Sequence, residues 1–339
     1  MSEFRKDPIT GIWRIVAEGR GTRPNEYAAP PPSPSAEADC PFCEGREALT
    51  PPEVAAVRLD RSAPNGPGWT VRAIPNRFPT VGSVSTPHPF PNSRRFERAP
   101  GTGVHEVIIE SPKHSPELPY LPPEQLGTLF RFFRERVRSL TNLPGNGAVL
   151  LFENRGPESG GTLTHPHAQL VATETVPSRL EAEREGFRRH AHATRGECLF
   201  ESVVAAELEA TERVLSDVGA FITFAPFASE FPYEVWIVPK RHEATFAGST
   251  DAEVDELARW LPAVLRALDV LRPQASYNWF VHGLAAPPGA GGEFHWHLEI
   301  APRLVRADGF ELGSGTSVNP VAPEDAAEEL RGALGSSGS

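Results

Sequence analysis

Two pairs of histidines stand out because their spacing suits chemistry. His165 and His167 are separated by one residue, and His295 and His297 repeat this arrangement later in the chain. Residues two apart on a β-strand point to the same face of the sheet, so each pair would place two imidazoles side by side. Imidazole can ligate a metal, attack phosphorus or transfer a proton. The repeated spacing therefore indicates a catalytic or metal-binding site.

A similar stretch of sequence precedes each pair. His105-Glu106-Val107-Ile108-Ile109 leads to His114 in the first half, and Tyr233-Glu234-Val235-Trp236-Ile237 leads to His242 in the second half. This alignment matches His105 with Tyr233, which leaves His105 outside the recurrence, and it matches His242 with His114 without giving His242 a ligand role. We interpret the chain as one α/β unit used twice.

The cysteines suggest a metal. Cys40 and Cys43 have a spacing that lets two thiolates reach one tetrahedral zinc, which needs two more ligands. A redox pair and two structural cysteines are the alternatives, and the Pro-rich and Gly-containing flanks disfavour the redox pair. His114 and His165 are the natural partners and would complete a shell of two cysteines and two histidines. Cys198 has no motif around it, and we interpret it as a packing residue.

His167 is the candidate nucleophile. The Gly-rich segment that ends in Gly160-Gly161-Thr162 precedes its strand, and glycine allows a backbone to approach a phosphate closely. A neutral imidazole nitrogen attacks phosphorus well and departs once the phosphoramidate is protonated. Gln169 carries an uncharged amide that can donate to a phosphate oxygen without repelling it. A structural role for these histidines remains the alternative.

The pattern of apolar residues predicts the elements that hold these side chains. Helices are predicted over 122–140 and 251–271, and a charged helical stretch over about 177–212 joins the halves. Loops are predicted at 28–36 and 82–103. The predicted strands are 12–16, 69–74, 104–110, 148–152, the segment of the first histidine pair, 221–224, 234–238, 277–281 and 294–300.

Composition excludes several classes of protein. The chain has 339 residues and a net charge of -11, which disfavours a general nucleic-acid surface. No apolar run is long enough to cross a membrane, and the first residues lack the apolar core of a signal peptide. Three cysteines are too few for a secreted disulfide framework. We expect a cytoplasmic protein that binds neither nucleic acid nor membrane.

The combined motifs resemble the galactose-1-phosphate uridylyltransferase family of the histidine-triad superfamily. The likeness runs in order from about Lys6 to about Arg331. The motifs that carry it are Asp7-Pro8-x-Thr10-Gly11-x-Trp13, Arg20-x-x-Arg23-Pro24, Cys40-Pro41-Phe42-Cys43, Ser111-Pro112-x-His114, Phe152-Glu153-Asn154-x-Gly156 and His165-Pro166-His167-x-Gln169.

The resemblance implies a two-step transfer of a uridylyl group from a UDP-sugar to a sugar 1-phosphate. His167 matches the family nucleophile, which carries the uridylyl group between the steps, and Gln169 matches the glutamine that binds the phosphate. Arg20 and Arg23 match basic residues near the phosphates. Asn154 matches an asparagine that contacts the nucleotide.

The resemblance also implies two metal sites. A structural zinc site maps onto Cys40, Cys43, His114 and His165. A second site, for iron or zinc, maps onto Glu183, His282, His295 and His297. Glu181 and Glu185 are alternatives to Glu183, and buried hydrogen-bonded histidines without a metal are the simpler interpretation of the second set.

Three departures from the family pattern concern the substrate. The family's Asn-Asp pair beside the nucleoside is replaced by Asn76-Arg77, and Gly161 stands where a cysteine is frequent. The segment that reads the hexose is the Gly-rich stretch 310–315. An ADP-glucose phosphorylase-like activity, or another nucleotide-sugar transferase or phosphorylase with a different base or acceptor, is therefore the alternative function.

The resemblance predicts an α/β fold of the α+β type. Residues 1–176 and 177–331 would form two tandem histidine-triad-like halves, each a mainly antiparallel sheet with packed helices. The first half would hold the nucleophile and the zinc site, and the second half would hold the second metal. Residues 332–339 are predicted to be a disordered tail. The family is dimeric, so we expect a homodimer.

Overall fold

Most of the strands lie in one ten-stranded antiparallel sheet in the computed structural model, which describes residues 2–18, 40–58, 61–82, 101–285 and 294–336. A small sheet of three strands, β1-β2-β13, accompanies it. The strands are β1 (Ser2–Lys6), β2 (Trp13–Ala17), β3 (Ala55–Arg58), β4 (Trp69–Pro75), β5 (Gly103–Ile109), β6 (Ala148–Arg155), β7 (His167–Thr173), β8 (Val214–Ser216), β9 (Phe221–Phe224), β10 (Val235–Pro239), β11 (Tyr277–His282), β12 (His297–Pro302) and β13 (Val318–Asn319).

The order of the strands shows the internal repeat. The large sheet runs β3-β4-β5-β7-β6 through the first half and then β11-β12-β10-β9-β8 through the second. Reading the second half backwards gives the same sequence of connections, so the halves are related by an approximate two-fold axis between β6 and β11. Those two strands pair antiparallel, with Asn278 opposite Asn154. The predicted two-half α/β fold with mainly antiparallel sheets is confirmed.

The predicted boundary at 176/177 falls between β7 and the next helix. The helices of the described residues are α1 (Pro123–Thr141), α2 (Ser178–Thr194), α3 (Leu199–Ala210), α4 (Asp251–Leu271), α5 (Gly309–Ser314) and α6 (Pro323–Ser336). One apolar core includes side chains from both halves, because the sheet continues across the boundary. None of these helices is both long and apolar enough to span a membrane.

One face of the sheet is covered along its whole length. Apolar residues at helical spacing on α1, among them Leu129 and Phe133, pack into the same core as Leu261 and Leu265 of α4. Helix α4 begins with a capping box, in which the Thr250 side chain accepts from the backbone of Glu253 while the Glu253 side chain accepts from the backbone of Thr250. Helices α1 and α4 pack on this face only and do not cover the opposite face of the sheet.

The opposite face is covered unequally. Over the second half, Phe187 of α2 and Phe200 of α3 pack with Trp236 and Phe294 in a second apolar cluster. Over the first half, the small cluster on this face contains Trp69, Ile74, Val107 and Ile109, with Phe42 packed against it and no helix among the described residues. Among the described residues, α-helices therefore cover this face over the second half and not over the first.

Several predicted elements need correction. The charged stretch over 177–212 is two helices, because Arg195 and Gly196 both have positive φ and end the first helix. Helix α6 continues to Ser336, so residues 332–336 are helical and not part of a disordered tail. The remaining tail residues, the predicted loop at 28–36 and most of the predicted loop at 82–103 lie outside the described residues.

The alignment of the repeats also shifts by one residue. Val107 pairs with Gln169 in the first half, and Trp236 pairs with Glu299 in the second. The strand register therefore matches His105 with Glu234, not with Tyr233. Apolar residues occupy successive positions in both buried strands. The sequence pattern therefore does not show which side chains point to which face of the sheet.

Two buried carboxyl groups lie on the helix side of the sheet. Glu110 is fully buried, and neither of its carboxyl oxygens has a partner among the described residues. Burial and the nearby Glu153 raise the pKa of Glu110 well above its usual range. Burial is also the main cause that raises the pKa of Glu153 to about 8, although Trp279 donates a hydrogen bond to its carboxyl group. Both groups are therefore held in the neutral form near neutral pH.

Glu153→Gln should make stability less dependent on pH. Between the ordinary carboxyl pKa and about 8 the native wild type binds a proton that the unfolded chain has lost, so its free energy of unfolding falls as pH rises. Glutamine keeps an acceptor for Trp279 and removes this titration. Urea unfolding between pH 5 and 9 should show a fall that is smaller in the variant by on the order of 4 kcal/mol, since each pH unit below the raised pKa contributes about 1.36 kcal/mol. The exposed control Glu209→Gln should follow the wild type, and equal slopes for Glu153→Gln and wild type would contradict the assignment.

Candidate functional site

His165 uses three of its atoms to organise the first half. Its Nε2 donates to the carbonyl oxygen of Ser111, just beyond the end of β5, at 2.8 Å. The opposite ring nitrogen, Nδ1, faces the sulfurs of Cys40 and Cys43 at 3.5 and 3.6 Å. Its carbonyl oxygen accepts from His167 Nδ1 at 2.8 Å. One residue therefore connects the cysteine pair, the end of β5 and the second histidine.

The four predicted ligands of the first metal come together. The Nδ1 of His114 lies 3.7 Å from Cys43 Sγ, and the His114 and His165 rings meet edge to face. Thr164 Oγ1 lies 3.0 Å from His114 Nε2 and holds the ring from the other side. The ligand atoms of Cys40, Cys43, His114 and His165 all lie within 4.8 Å of one another. This cluster, which we call the Cys2His2 cluster, can hold one metal ion.

His167 stands beside this cluster with one nitrogen available. The hydrogen bond to the His165 carbonyl oxygen requires the proton on Nδ1, which leaves the lone pair on Nε2. Burial lowers the pKa of His167, so the ring is neutral near neutral pH. Phe42, from the segment between the two cysteines, packs edge-on against both His165 and His167. The geometry therefore presents a neutral, oriented imidazole.

Gln169 and Asn76 lie next to one another. Asn76 Nδ2 approaches Gln169 Oε1 at 3.5 Å, and its own Oδ1 accepts from the backbone of Phe78 at 2.8 Å. His105 Nε2 lies 2.9 Å from the same Gln169 oxygen. Arg77 is exposed, with its guanidinium 6.0 Å from the Phe78 ring. Arg20 and Arg23 lie outside the described residues.

The loop before the histidine pair is shaped by close backbone contacts. Asn154 accepts from Asn278 Nδ2 at 2.7 Å across the junction of the two halves. A Cβ at Gly161 would lie 2.8 Å from the carbonyl oxygen of Gly156, so a side chain there would force the loop to move. Gly160 has a φ of 86°, which favours glycine, and Thr162 is exposed. Close backbone packing therefore explains why glycine occupies position 161, whether or not a ligand binds there.

The second half contains a cluster that the sequence analysis missed. Cys198 Sγ lies 3.3 Å from His242 Nδ1 and 3.5 Å from His295 Nδ1. The backbone oxygen of Pro239 lies 2.9 Å from His295 Nε2, which repeats the contact of His165 with Ser111. These three residues, the CysHis2 cluster, could also hold a metal ion. The repeat alignment of His242 with His114 was the signal that could have identified them.

Three of the four predicted ligands of the second metal come together, namely Glu183, His282 and His297. His295 belongs to the CysHis2 cluster, and Glu299 takes its place beside Glu183, His282 and His297. Of the alternatives around Glu183, the structure selects Glu183 itself, whose carboxylate lies 3.0 Å from His282 Nδ1. These four residues form the Glu2His2 cluster. His295 departs because its ring turns to Cys198, a residue that we had interpreted as packing.

The Glu2His2 cluster carries its own counter-charges. Arg179 reaches Glu299 at 2.7 Å and Glu183 at 3.6 Å. Burial opposes ionisation of Glu299, but Arg179, His282 and His297 outweigh it and hold the pKa of this carboxyl well below its usual range. The pKa of His297 is raised despite its burial, because Glu299 lies 3.1 Å away. The cluster has donor atoms suitable for a metal. Its carboxylates are also paired within the protein, with Arg179 and the histidines.

Comparison with known proteins agrees with this arrangement. The family model described as the N-terminal domain of galactose-1-phosphate uridyl transferase matches residues 1–177. The chain belongs to this family. It is 30% identical to galactose-1-phosphate uridylyltransferase of Thermotoga maritima over 340 residues, which cover 98% of each chain. The family assignment makes the chain an enzyme that transfers nucleotidyl groups.

Another similar protein is named as a phosphorylase. The chain is 31% identical to ADP-glucose phosphorylase of Arabidopsis thaliana over 337 residues, which cover 97% of this chain and 92% of the relative. The crystal structure of that type of enzyme from Arabidopsis thaliana with bound ADP-glucose superposes with a TM-score of 0.80 and 29% identity, covering 98% of both chains. A solved uridylyltransferase structure gives a TM-score of 0.76 at 29% identity, covering 99% of both.

Proposed function

We propose that this enzyme transfers a nucleotidyl group from a nucleoside diphosphate sugar to a phosphate-bearing acceptor through a covalent bond to His167. The observation that carries the proposal is the hydrogen bond from His167 Nδ1 to the His165 carbonyl oxygen. It fixes the tautomer and aims the free Nε2 from a buried, neutral ring. An imidazole held in this way is suited to in-line attack on phosphorus.

The two steps use the same geometry. In the first step, His167 Nε2 forms a bond to the α-phosphorus, and the bond from that phosphorus to the oxygen of the departing sugar 1-phosphate breaks. The imidazole then carries a positive charge with its proton still on Nδ1, and the carbonyl oxygen of His165 stabilises it. In the second step, an oxygen of the acceptor phosphate attacks the same phosphorus, the N–P bond breaks, and His167 returns to its neutral form.

Gln169 and Asn154 complete the proposed site. Gln169 lies two residues after His167 on β7, so both side chains share a face of the sheet. Its amide can donate to a non-bridging phosphate oxygen. Asn154 lies on the neighbouring β6 and would contact the nucleotide, while Arg20 and Arg23 would meet the phosphates.

Zinc is the metal that fits the Cys2His2 cluster best. Two donors at the usual bond lengths of about 2.3 Å for sulfur and about 2.0–2.1 Å for nitrogen lie about 3.5 Å apart around a tetrahedral zinc. The sulfur-to-nitrogen distances of 3.5, 3.6 and 3.7 Å agree with this value. Zinc would hold the start of β7 through His165 and would act as a structural ion. The CysHis2 and Glu2His2 clusters are the candidates for the second metal, iron or zinc.

The nucleotide and the acceptor define two candidate reactions. The first is uridylyl transfer from a UDP-sugar to a sugar 1-phosphate. The second is phosphorolysis of an ADP-sugar, with inorganic phosphate as the acceptor. The second is favoured by the exposed Arg77 and Phe78 next to Asn76, because Arg77 replaces an acidic residue and an exposed ring offers a stacking surface to a purine. Similarity to the Arabidopsis enzyme supports the same candidate.

The expected homodimer, the cytoplasmic location and the division at 176/177 stay predictions. A dimer would bring residues of one chain close to the site of the other. Light scattering on the purified enzyme would measure its mass in solution, and a fully active monomer would contradict the dimer.

Removing the cysteine pair should remove metal. Elemental analysis of the double variant Cys40→Ser/Cys43→Ser should show about one zinc fewer per chain than the wild type. Its free energy of unfolding should be lower by about 4 kcal/mol or more, the scale that follows loss of a structural metal. Cys198→Ser is the matched variant for the CysHis2 cluster and should keep the first zinc. Wild-type zinc content in the double variant would refute the Cys2His2 site.

His167→Asn should abolish transfer and leave the fold intact. Asparagine keeps a polar side chain on β7 but cannot form a phosphoramidate. Wild type incubated with a competent nucleotide sugar and no acceptor should gain one nucleotidyl mass on the peptide that contains His167, and the adduct should be acid-labile and alkali-stable. The exposed His192→Asn variant should label like the wild type. Turnover by His167→Asn would disprove the covalent route.

A matrix of donors and acceptors should separate the two candidate reactions. UDP-glucose and ADP-glucose are each combined with galactose 1-phosphate or inorganic phosphate, and products are read by mass spectrometry. Phosphorolysis of ADP-glucose alone would establish the second candidate, and transfer between UDP-glucose and galactose 1-phosphate would establish the first. Arg77→Asp, which restores the family's Asn-Asp pair, should raise the ratio of kcat/KM for UDP-glucose over ADP-glucose by about tenfold. An unchanged ratio would show that Arg77 does not read the base.

A further inference from the structure

His105 is a buried histidine whose ring contacts the amide of Gln169. Its Nε2 lies 2.9 Å from Gln169 Oε1, and its Nδ1 accepts from the backbone N–H of Thr80 at 3.0 Å. His105 lies on β5, next to the strand that carries Gln169. Aligned by sequence alone, it falls opposite Tyr233 and so lies outside the recurrence of histidines.

The contact with Thr80 fixes the tautomer of His105. A backbone N–H can only donate, so Nδ1 of the ring must be the unprotonated nitrogen. The ring proton therefore sits on Nε2, which points at the Gln169 oxygen. Phe78 donates to Asn76 Oδ1, so Asn76 Nδ2 is turned toward His105 Nε2 at 3.0 Å and Gln169 Oε1 at 3.5 Å. Because both nitrogens carry hydrogens, the oxygen of Gln169 is the acceptor that they share.

These contacts decide which end of the Gln169 amide meets a ligand. His105 Nε2 lies 2.9 Å from Gln169 Oε1, and Asn76 Nδ2, which is 3.0 Å from His105 Nε2, approaches the same oxygen at 3.5 Å. A rotated amide would set its NH2 group against both donors and would present its oxygen to the phosphate. The observed arrangement keeps the oxygen occupied and leaves the Nε2 hydrogens, for which the described residues supply no acceptor, to a ligand beside His167.

The second half has different side chains at the equivalent positions. By strand register, Glu234 and Glu299 occupy the positions of His105 and Gln169. Both are buried carboxyl groups, and Arg179 pairs with Glu299 at 2.7 Å. A carboxylate at the Gln169 position would repel a phosphate. The His-Gln pair therefore lacks the carboxyl groups of the Glu-Glu pair, and a carboxylate is the group that would repel an anionic substrate.

We propose that His105 is a positioning residue for nucleotidyl transfer, which fixes the Gln169 side-chain amide so that its NH2 group faces the phosphate bound at His167. The proposal rests on the proposed function for its kinetic consequence, but the arrangement of the two side chains can be measured without turnover. His105 acts through Gln169 and has no contact of its own with the reacting atoms in this role.

Two substitutions separate this role from simple support of the Thr80 loop. His105→Gln can place an N–H donor near the position of Nε2 and loses the acceptor for Thr80. His105→Asn can keep an acceptor near the position of Nδ1 and loses the donor to Gln169. We expect kcat to fall by about tenfold or more in His105→Asn, with little change in KM, because the misplaced amide matters most when charge develops on the phosphate. His105→Gln should stay within about threefold of wild type. The reverse ranking would show that the residue only supports the loop and would overturn the proposal.

A double-mutant cycle tests whether the effect passes through Gln169. In the Gln169→Ala background, His105→Asn should cost no further activity, because the amide that it positions is gone. An equal loss in both backgrounds would overturn the proposal.

A readout without turnover keeps this test separate from the proposed function. Nitrogen-15 NMR of the wild-type holoenzyme should show His105 protonated at Nε2 and not at Nδ1. The Gln169 side-chain amide signals should shift in His105→Asn and on addition of AMP or UMP as phosphate probes. A His105 ring protonated at Nδ1 alone, or Gln169 signals that ignore His105→Asn, would refute the positioning role. If the NMR agrees and no donor is turned over by wild type, the proposed transfer fails while the side-chain arrangement stands.

Discussion

The hydrogen bond between His167 Nδ1 and the His165 carbonyl oxygen is the interaction on which the site depends. It needs a histidine at 167 whose ring folds back on the backbone carbonyl two residues earlier, an acceptor that any residue at 165 would supply. The same His165 turns its ring toward Cys40 and Cys43 and anchors the end of β5. Movement of the metal cluster would therefore move the nucleophile. A metal held by the Cys2His2 cluster would therefore support the proposed nucleophile by fixing its position, without taking part in bond making.

The two halves share one strand order and surround their histidine pairs differently. In the second half, His297 again lies near the carbonyl oxygen of the histidine two residues earlier, at 3.3 Å. There, α2 and α3 close the face, Phe200 packs on the His297 ring, and carboxylates surround it. In the first half no described helix covers the corresponding face. Helices therefore cover the second histidine pair, whereas the described side chain that packs on both rings of the first pair is Phe42, from the segment between the two cysteines.

The sequence predicted those parts of the site that depend on short spacings. The histidine pairs, the Cys40 and Cys43 pair, and the strands that carry them follow from periodicity and residue type. Cys198 was misinterpreted because its partners lie far along the chain and its own neighbours form an ordinary helix start. The role of His105 was hidden by a one-residue error in aligning two strands that are apolar on both faces. Such strands carry little information about which side chains share a face, so only the pairing of strands could correct it.

The contrast between Gln169 and Glu299 suggests why the two halves cannot exchange roles. A site for a phosphate has to be neutral or positive where the phosphate oxygens lie, and each of its dipoles has to be held in one direction before the substrate arrives. The first half meets this requirement with neutral groups: a buried imidazole, an amide, and a second imidazole with a fixed tautomer. The second half places carboxylates at the equivalent positions and neutralises them with Arg179. Its charges are therefore satisfied within the protein, whereas the unfilled hydrogen-bonding capacity of the first half is directed toward a ligand.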